Sequence, residues 1–88
     1  MLLQQLKKIE DIIKFYNDGE SPEVKDTLGL DLICRINNTN WESMEYILCE
    51  LDETLPVDIL FSHKKINDDI YEITFRTKKV NDIIKGMI

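Results

Sequence analysis

The sequence predicts an α+β fold: two layers in the order α-β-α-β-β-α, with a three-stranded mixed sheet and a C-terminal β-hairpin. Three features predict it. Apolar residues recur at helical spacing in residues 2–16 and 41–55, they alternate from Asp31 to Asn37, and two further alternating runs flank Asn67-Asp68-Asp69. Eighty-eight residues suit a single domain, 1–88, because a chain of this length buries only about two thirds of the surface it exposes when unfolded and fills one core.

Leu2, Leu6, Ile9, Ile13 and Tyr16, widened by Leu3 and Ile12, form the stripe of the first helix, with Lys7, Lys8, Glu10, Asp11 and Lys14 on its other side. Asn17-Asp18-Gly19 should end it, since Gly19 suits a left-handed cap and Ser21-Pro22 resists continuation. Residues 17–29, polar until Leu28, are expected to be loop. Leu32, Cys34 and Ile36 then share one face of a strand over 31–37, with Ile33 and Arg35 on the other. Thr39-Asn40-Trp41-Glu42 fits a capping box with Thr39 as the cap, so the second helix should begin at about Asn40. Its core stripe is Trp41, Met44, Ile47, Leu48, Leu51 and Leu55, and Pro56 helps to end it.

From Val57 to Lys79 the pattern is that of a hairpin. Pairing Ile66 with Ile70 places Val57, Ile59, Phe61 and His63 on one apolar face with Tyr71, Ile73, Phe75 and Thr77. On the opposite face Lys64 then meets Glu72 and Asp58 meets Lys78. Val80, Ile83, Ile84 and Met87 make a short amphipathic last helix, which is marginal unless it docks. The β-α-β portion sets strands 31–37 and 57–65 parallel, with the second hairpin strand adding an antiparallel third.

A composition of 43% hydrophobic and 32% charged residues can build a core without a disulfide or metal staple. The net charge of −6 is uneven: residues 1–55 carry twelve acids against five bases, residues 56–88 five against six, and Ile36 to Leu55 holds no Lys or Arg. Most of this surface would repel a phosphate backbone, so the expected partner is a basic protein and not nucleic acid itself. Lys64, Lys65, Arg76, Lys78 and Lys79 form a local basic patch, which reads as charge protecting a sheet edge. Apolar runs are too short to span a membrane and the N-terminal stretch turns charged at Lys7, so no membrane partner is expected and the location is cytoplasmic.

No catalytic, metal or cofactor site is expected. Cys34 and Cys49 are too far apart for a C-x-x-C pair, and with His63 as the single histidine they cannot assemble a zinc module, so they read as reduced, partly buried thiols. Carboxylates around Cys49 disfavour a thiolate and oppose a nucleophilic role, and His63 reads as a half-buried structural residue. The glycines at 19, 29 and 86 are isolated and form no phosphate-cradling loop.

The stretch GLDLICRIN, followed by a helix and then LPVDIL, resembles in outline the minimal nucleotidyltransferase family, where a strand bearing paired Asp precedes a helix and a third Asp on the next strand. The resemblance covers about thirty residues. It implies Asp31 and Asp58 as metal ligands. Gly29 stands where the first Asp of the pair would fall, and FYNDGESP lacks the family's Gly-Ser motif, so the resemblance implies a degenerate relative without a complete catalytic site.

The leading expectation is a small acidic protein–protein interaction domain, an inhibitor or regulator that docks on a basic partner. Glu42, Glu45, Asp52 and Glu53 cluster around Tyr46 and Cys49 on the second helix, opposite its apolar stripe. Such faces are commonly plain solvated surface. The sharper reading has the carboxylates imitate nucleic-acid phosphates and block a basic groove on a nuclease or other nucleic-acid-binding protein, as immunity proteins and phage-encoded inhibitors do, with Tyr46 as the aromatic anchor. A homo-oligomer joined through the terminal helices is the third reading.

Overall fold

The computed structural model describes residues 2–87. Its elements are α1 (Leu6–Tyr16), β1 (Glu23–Thr27), β2 (Asp31–Ile36), α2 (Trp41–Thr54), β3 (Ile59–Asn67), β4 (Ile70–Thr77) and α3 (Lys78–Gly86), with a short 3-10 turn at Leu3–Gln5 leading into α1. The class is α+β, in essentially the expected order. The sheet, however, has four strands among the described residues, arranged β1-β2-β4-β3, and every neighbouring pair is antiparallel.

Both helical stripes pack against one face of this sheet, except that Trp41, expected in the α2 stripe, is 45% exposed. Ile9 and Ile13 of α1 and Met44, Ile47 and Leu51 of α2 meet Leu32, Cys34 and Ile36 of β2 and Tyr71, Ile73 and Phe75 of β4 in a continuous apolar cluster. Helix α1 stops as its sequence directs. Asp18 and Gly19 take left-handed φ angles of 53° and 81°, and the Gly19 N–H donates to the Lys14 carbonyl at 2.8 Å, the six-to-one bond of a Schellman end. Buried Asn17 then ties this end to the sheet by donating from Nδ2 to the Asn37 carbonyl at 2.9 Å.

Several expectations about the strands need correction. Residues 17–29 are not all loop, because Glu23–Thr27 pairs with β2 in the register Val24↔Cys34. The turn joining the two places Leu28 and Gly29 at positive φ, and Asp26 Oδ1 accepts from the Gly29 N–H at 3.0 Å. Strands β2 and β3 do run in the same direction, as a β-α-β connection requires, but β4 inserts between them, so the sheet is antiparallel and not mixed. The physical reason is burial, since β4 buries every alternate residue and suits a central place while β3 buries only Ile59 and suits an edge; on the open face Arg35 pairs with Glu72 at 2.8 Å and Arg76 holds Asp31 through two bonds of 2.7 and 3.0 Å. Direct β2–β3 pairing would leave these charges on β2 and β4 without each other. Val57 is the third correction: it lies in the turn before β3, 97% exposed, and contributes nothing to the apolar face.

The hairpin register is as expected over most of its length, with Ile59↔Thr77, Phe61↔Phe75, His63↔Ile73 and Lys64↔Glu72. Near the turn, Asn67 and not Ile66 faces Ile70, with an irregularity at Ile66. Asn67 Oδ1 accepts from the Asp69 N–H at 2.9 Å, and this tight side-chain turn draws one extra residue out of the ladder. Asp58 and Lys78 meet through their backbones, the Lys78 N–H donating to the Asp58 carbonyl at 2.7 Å. The cap of α2 is Asn40, whose side chain accepts from the Ser43 N–H at 2.9 Å, whereas Thr39 is buried and its hydroxyl has no partner among the described residues.

Candidate functional site

Helix α2 rises over the sheet with its carboxylates outward. At 100° per residue, Glu42, Tyr46, Cys49 and Glu53 fall along its crest, Glu50 turns to one flank, and Glu45 and Asp52 to the other. All five residues expected to meet a partner, Glu42, Glu45, Tyr46, Asp52 and Glu53, are exposed. They span the crest and one flank: Tyr46 leans toward α1, while Glu45 and Asp52 lean toward β3, where Asp52 borders a hollow of about 460 Å³ with Leu55, Val57, Leu60 and Phe61.

On the α1 side the neighbouring helix supplies what α2 alone does not reveal. Tyr46 lies nearly parallel to Tyr16, with ring centroids 5.7 Å apart and planes 9° from coplanar, and Phe15 meets Tyr16 edge-on at 4.9 Å. The Tyr16 hydroxyl donates to Glu50 Oε1 at 3.2 Å. Burial of the ring, then that bond and the charges of Glu50 and Glu53, push the Tyr16 phenol above its usual pKa, so it remains a donor. Phe15 is 79% exposed and Tyr46 57%. Three aromatic rings thus form a step between the helices, bordered by Glu50 and Glu53. Cys49 donates to Glu53 Oε1 at 3.9 Å and is exposed, contrary to the partly buried thiol expected, while Cys34 is fully buried.

Beside the step runs a groove of about 310 Å³ lined by Asp11, Ile12, Phe15, Tyr16, Glu50 and Thr54. Sequence reasoning missed Phe15, Tyr16 and Glu50 as site residues. Tyr16 does pack against the core, as its place in the α1 stripe predicts, and the adjacency of two helix flanks is not written in either helix separately.

The other candidates are dispersed. Asp31 has its two carboxylate oxygens bound by Arg76, and β4 lies between the strand that carries it and the turn that carries Asp58. That hydrogen bonding first, with the Asp31 charge added, raises the Arg76 pKa further. His63 is exposed, not half-buried, because the apolar cover ends at Phe61; its ring tilts against Trp41 at 5.4 Å. The basic patch is largely engaged: Lys64 approaches Glu72 at 3.9 Å, Lys65 approaches Asp68 at 3.3 Å, and Arg76 holds Asp31. Among the described residues no group of three or more His, Cys, Asp or Glu side chains could hold a metal, and no helix is long and apolar enough to cross a membrane.

Comparison of the chain with known protein families, curated proteins and solved structures gave no match.

Proposed function

We propose that this chain is a small protein–protein interaction domain, an inhibitor or regulator that docks its α1–α2 surface on a basic protein such as a nuclease or another nucleic-acid-binding protein. The observation that carries the reading is the pair of exposed rings, Phe15 and Tyr46, joined through the partly buried Tyr16 beside a helix that offers only negative charge to solvent. Aromatic side chains held out of the core are costly to leave in water and are the commonest anchors of interfaces. Carboxylates around them steer a basic partner into register and act chiefly on the rate of association.

The test reverses Glu42, Glu45, Asp52 and Glu53 to Lys. All four are exposed, and only Glu42 lies in the first turn of α2, where a negative charge favours the helix by about 0.3–1 kcal/mol, so the fold should survive. Capture from the native host followed by mass spectrometry should yield a basic protein on the wild-type chain and lose it on the reversed one. Wild-type binding should also weaken steeply as added salt shortens the Debye length from about 10 Å toward 3 Å. Equal capture by both chains, or affinity indifferent to salt, would reduce the acidic face to ordinary solvated surface.

A further inference from the structure

We infer that the groove between α1 and α2 is the seat of an arginine side chain presented by the partner; this rests on the docking surface proposed above and specifies what that surface recognises. At about 310 Å³ the groove holds one long side chain and is too small for a helix. Its lining includes the partly buried Ile12, which suits a methylene stem. It is also lined by Phe15, whose ring is 79% exposed and offers a face to a planar cation, beside the Tyr16 ring already stacked on Tyr46.

The charge at the groove is placed for a guanidinium. The Tyr16 hydroxyl occupies Glu50 Oε1 and so fixes the carboxylate beside the rings, leaving Oε2 to accept from an incoming N–H. Glu53 adds a second negative charge one turn along the crest of α2. Asp11, at the far rim, is already matched by Lys7 at 3.7 Å, so the unmatched charge lies at the Glu50 end, next to the Tyr16 ring. A lysine would gain the same Coulomb attraction but not the stacking or the forked hydrogen bonding that arginine offers.

Octa-arginine and octa-lysine peptides carry equal charge and separate these contributions when titrated into the isotope-labelled 88-residue chain at low salt, with amide shifts as the readout. Octa-arginine should bind about threefold to tenfold more tightly, with the largest shifts in residues 11–16 and 46–54. Phe15→Ala and Glu50→Gln should each bring the ratio toward one while the helical circular dichroism is retained. A ratio near one in the wild-type chain, a preference untouched by both substitutions, or shifts centred on the open face of the sheet would overturn the arginine seat. If both peptides bind α2 equally and the charge-reversed chain binds neither, the acidic docking surface stands and only the arginine seat falls. If neither peptide binds, both fall. Sedimentation showing a dimer that Phe15→Ala dissociates would assign the groove to a second copy of the chain and likewise overturn the inference.

Discussion

Two phenylalanines on this chain should respond in opposite ways to truncation. Phe75 is fully buried at the middle of β4, opposite Leu32 on one side and Phe61 on the other, with the Phe61 and Phe75 ring centroids 5.9 Å apart. Phe75→Ala removes the ring from a packed layer and should cost about 3–5 kcal/mol, of which the aromatic pair supplies about 0.5–1.5. A domain of this size is stable by about 4–13 kcal/mol in total, so this single change removes a large share. In urea denaturation followed by far-UV circular dichroism, with a slope of about 1–1.5 kcal/mol/M, the midpoint should fall by about 2–5 M. Should Phe75→Ala be unfolded in water, Phe75→Leu keeps most of the volume and brings the loss within reach, at about 1–1.5 kcal/mol. Phe15→Ala, at a position 79% exposed, should stay within about 0.5 kcal/mol. Equal losses at the two positions, or a loss below about 1 kcal/mol for Phe75→Ala, would refute the assignment of one ring to the core and the other to the docking surface.

Two further predictions concern the cap of α2 and the thiols. Asn40→Ala should cost about 0.5–2 kcal/mol by urea denaturation, because it removes the bond to the Ser43 N–H, whereas Thr39→Val should be neutral or stabilising, since it removes a buried hydroxyl without a partner; the opposite ranking would restore Thr39 as the cap. At pH 8 a thiol reagent should label Cys49 and spare Cys34, whose pKa is pushed up to about 12 by burial and then by the charge of Glu10. This acid is weaker when folded, so the unfolded chain loses its proton first. Stability from Cys34 is therefore intact below about pH 8.5 and declines by up to about 1.4 kcal/mol per pH unit as pH rises toward 12, a slope that Cys34→Ala should lessen. Rapid labelling of Cys34 in the native state would contradict its burial.

The parts of this fold that were legible are those where one face of an element is dry and the other wet. The hairpin register followed from alternation on both strands, because a slip of one residue would have driven Lys64 inward and Phe61 outward. Strand β1 carried no such signal: of Glu23-Val24-Lys25-Asp26-Thr27 only Val24 is strongly apolar, and all but Thr27 are exposed at this edge. Its trace in the sequence was Gly29, which the left-handed turn into β2 requires. The position of β4 was legible in principle, since it buries every alternate residue and carries Glu72 and Arg76 to match Arg35 and Asp31, but choosing among strand orders needs all those pairs weighed together. At the candidate site the helical wheel of α2 identified the exposed carboxylates and Tyr46 correctly as surface. It could not show that α1 brings Phe15 and Tyr16 alongside, because that depends on how two helices lie across a shared sheet.

The insertion of β4 between β2 and β3 also governs how the chain can be made. A nascent chain that has emerged only as far as Asp69 offers β2 a single neighbour in β1, gives β3 none, and lacks the Tyr71, Ile73 and Phe75 side chains beneath α1 and α2. The apolar stripes of both helices then stay wet until the last quarter of the 88 residues arrives, and the clasp between Asp31 and Arg76 closes across forty-five positions. The core therefore cannot close before β4 is available to both of its neighbours, which makes the pairing of residues far apart in sequence the late step of folding. Reordering the chain so that β4 precedes β3 would bring that pairing forward while keeping the strand order β1-β2-β4-β3.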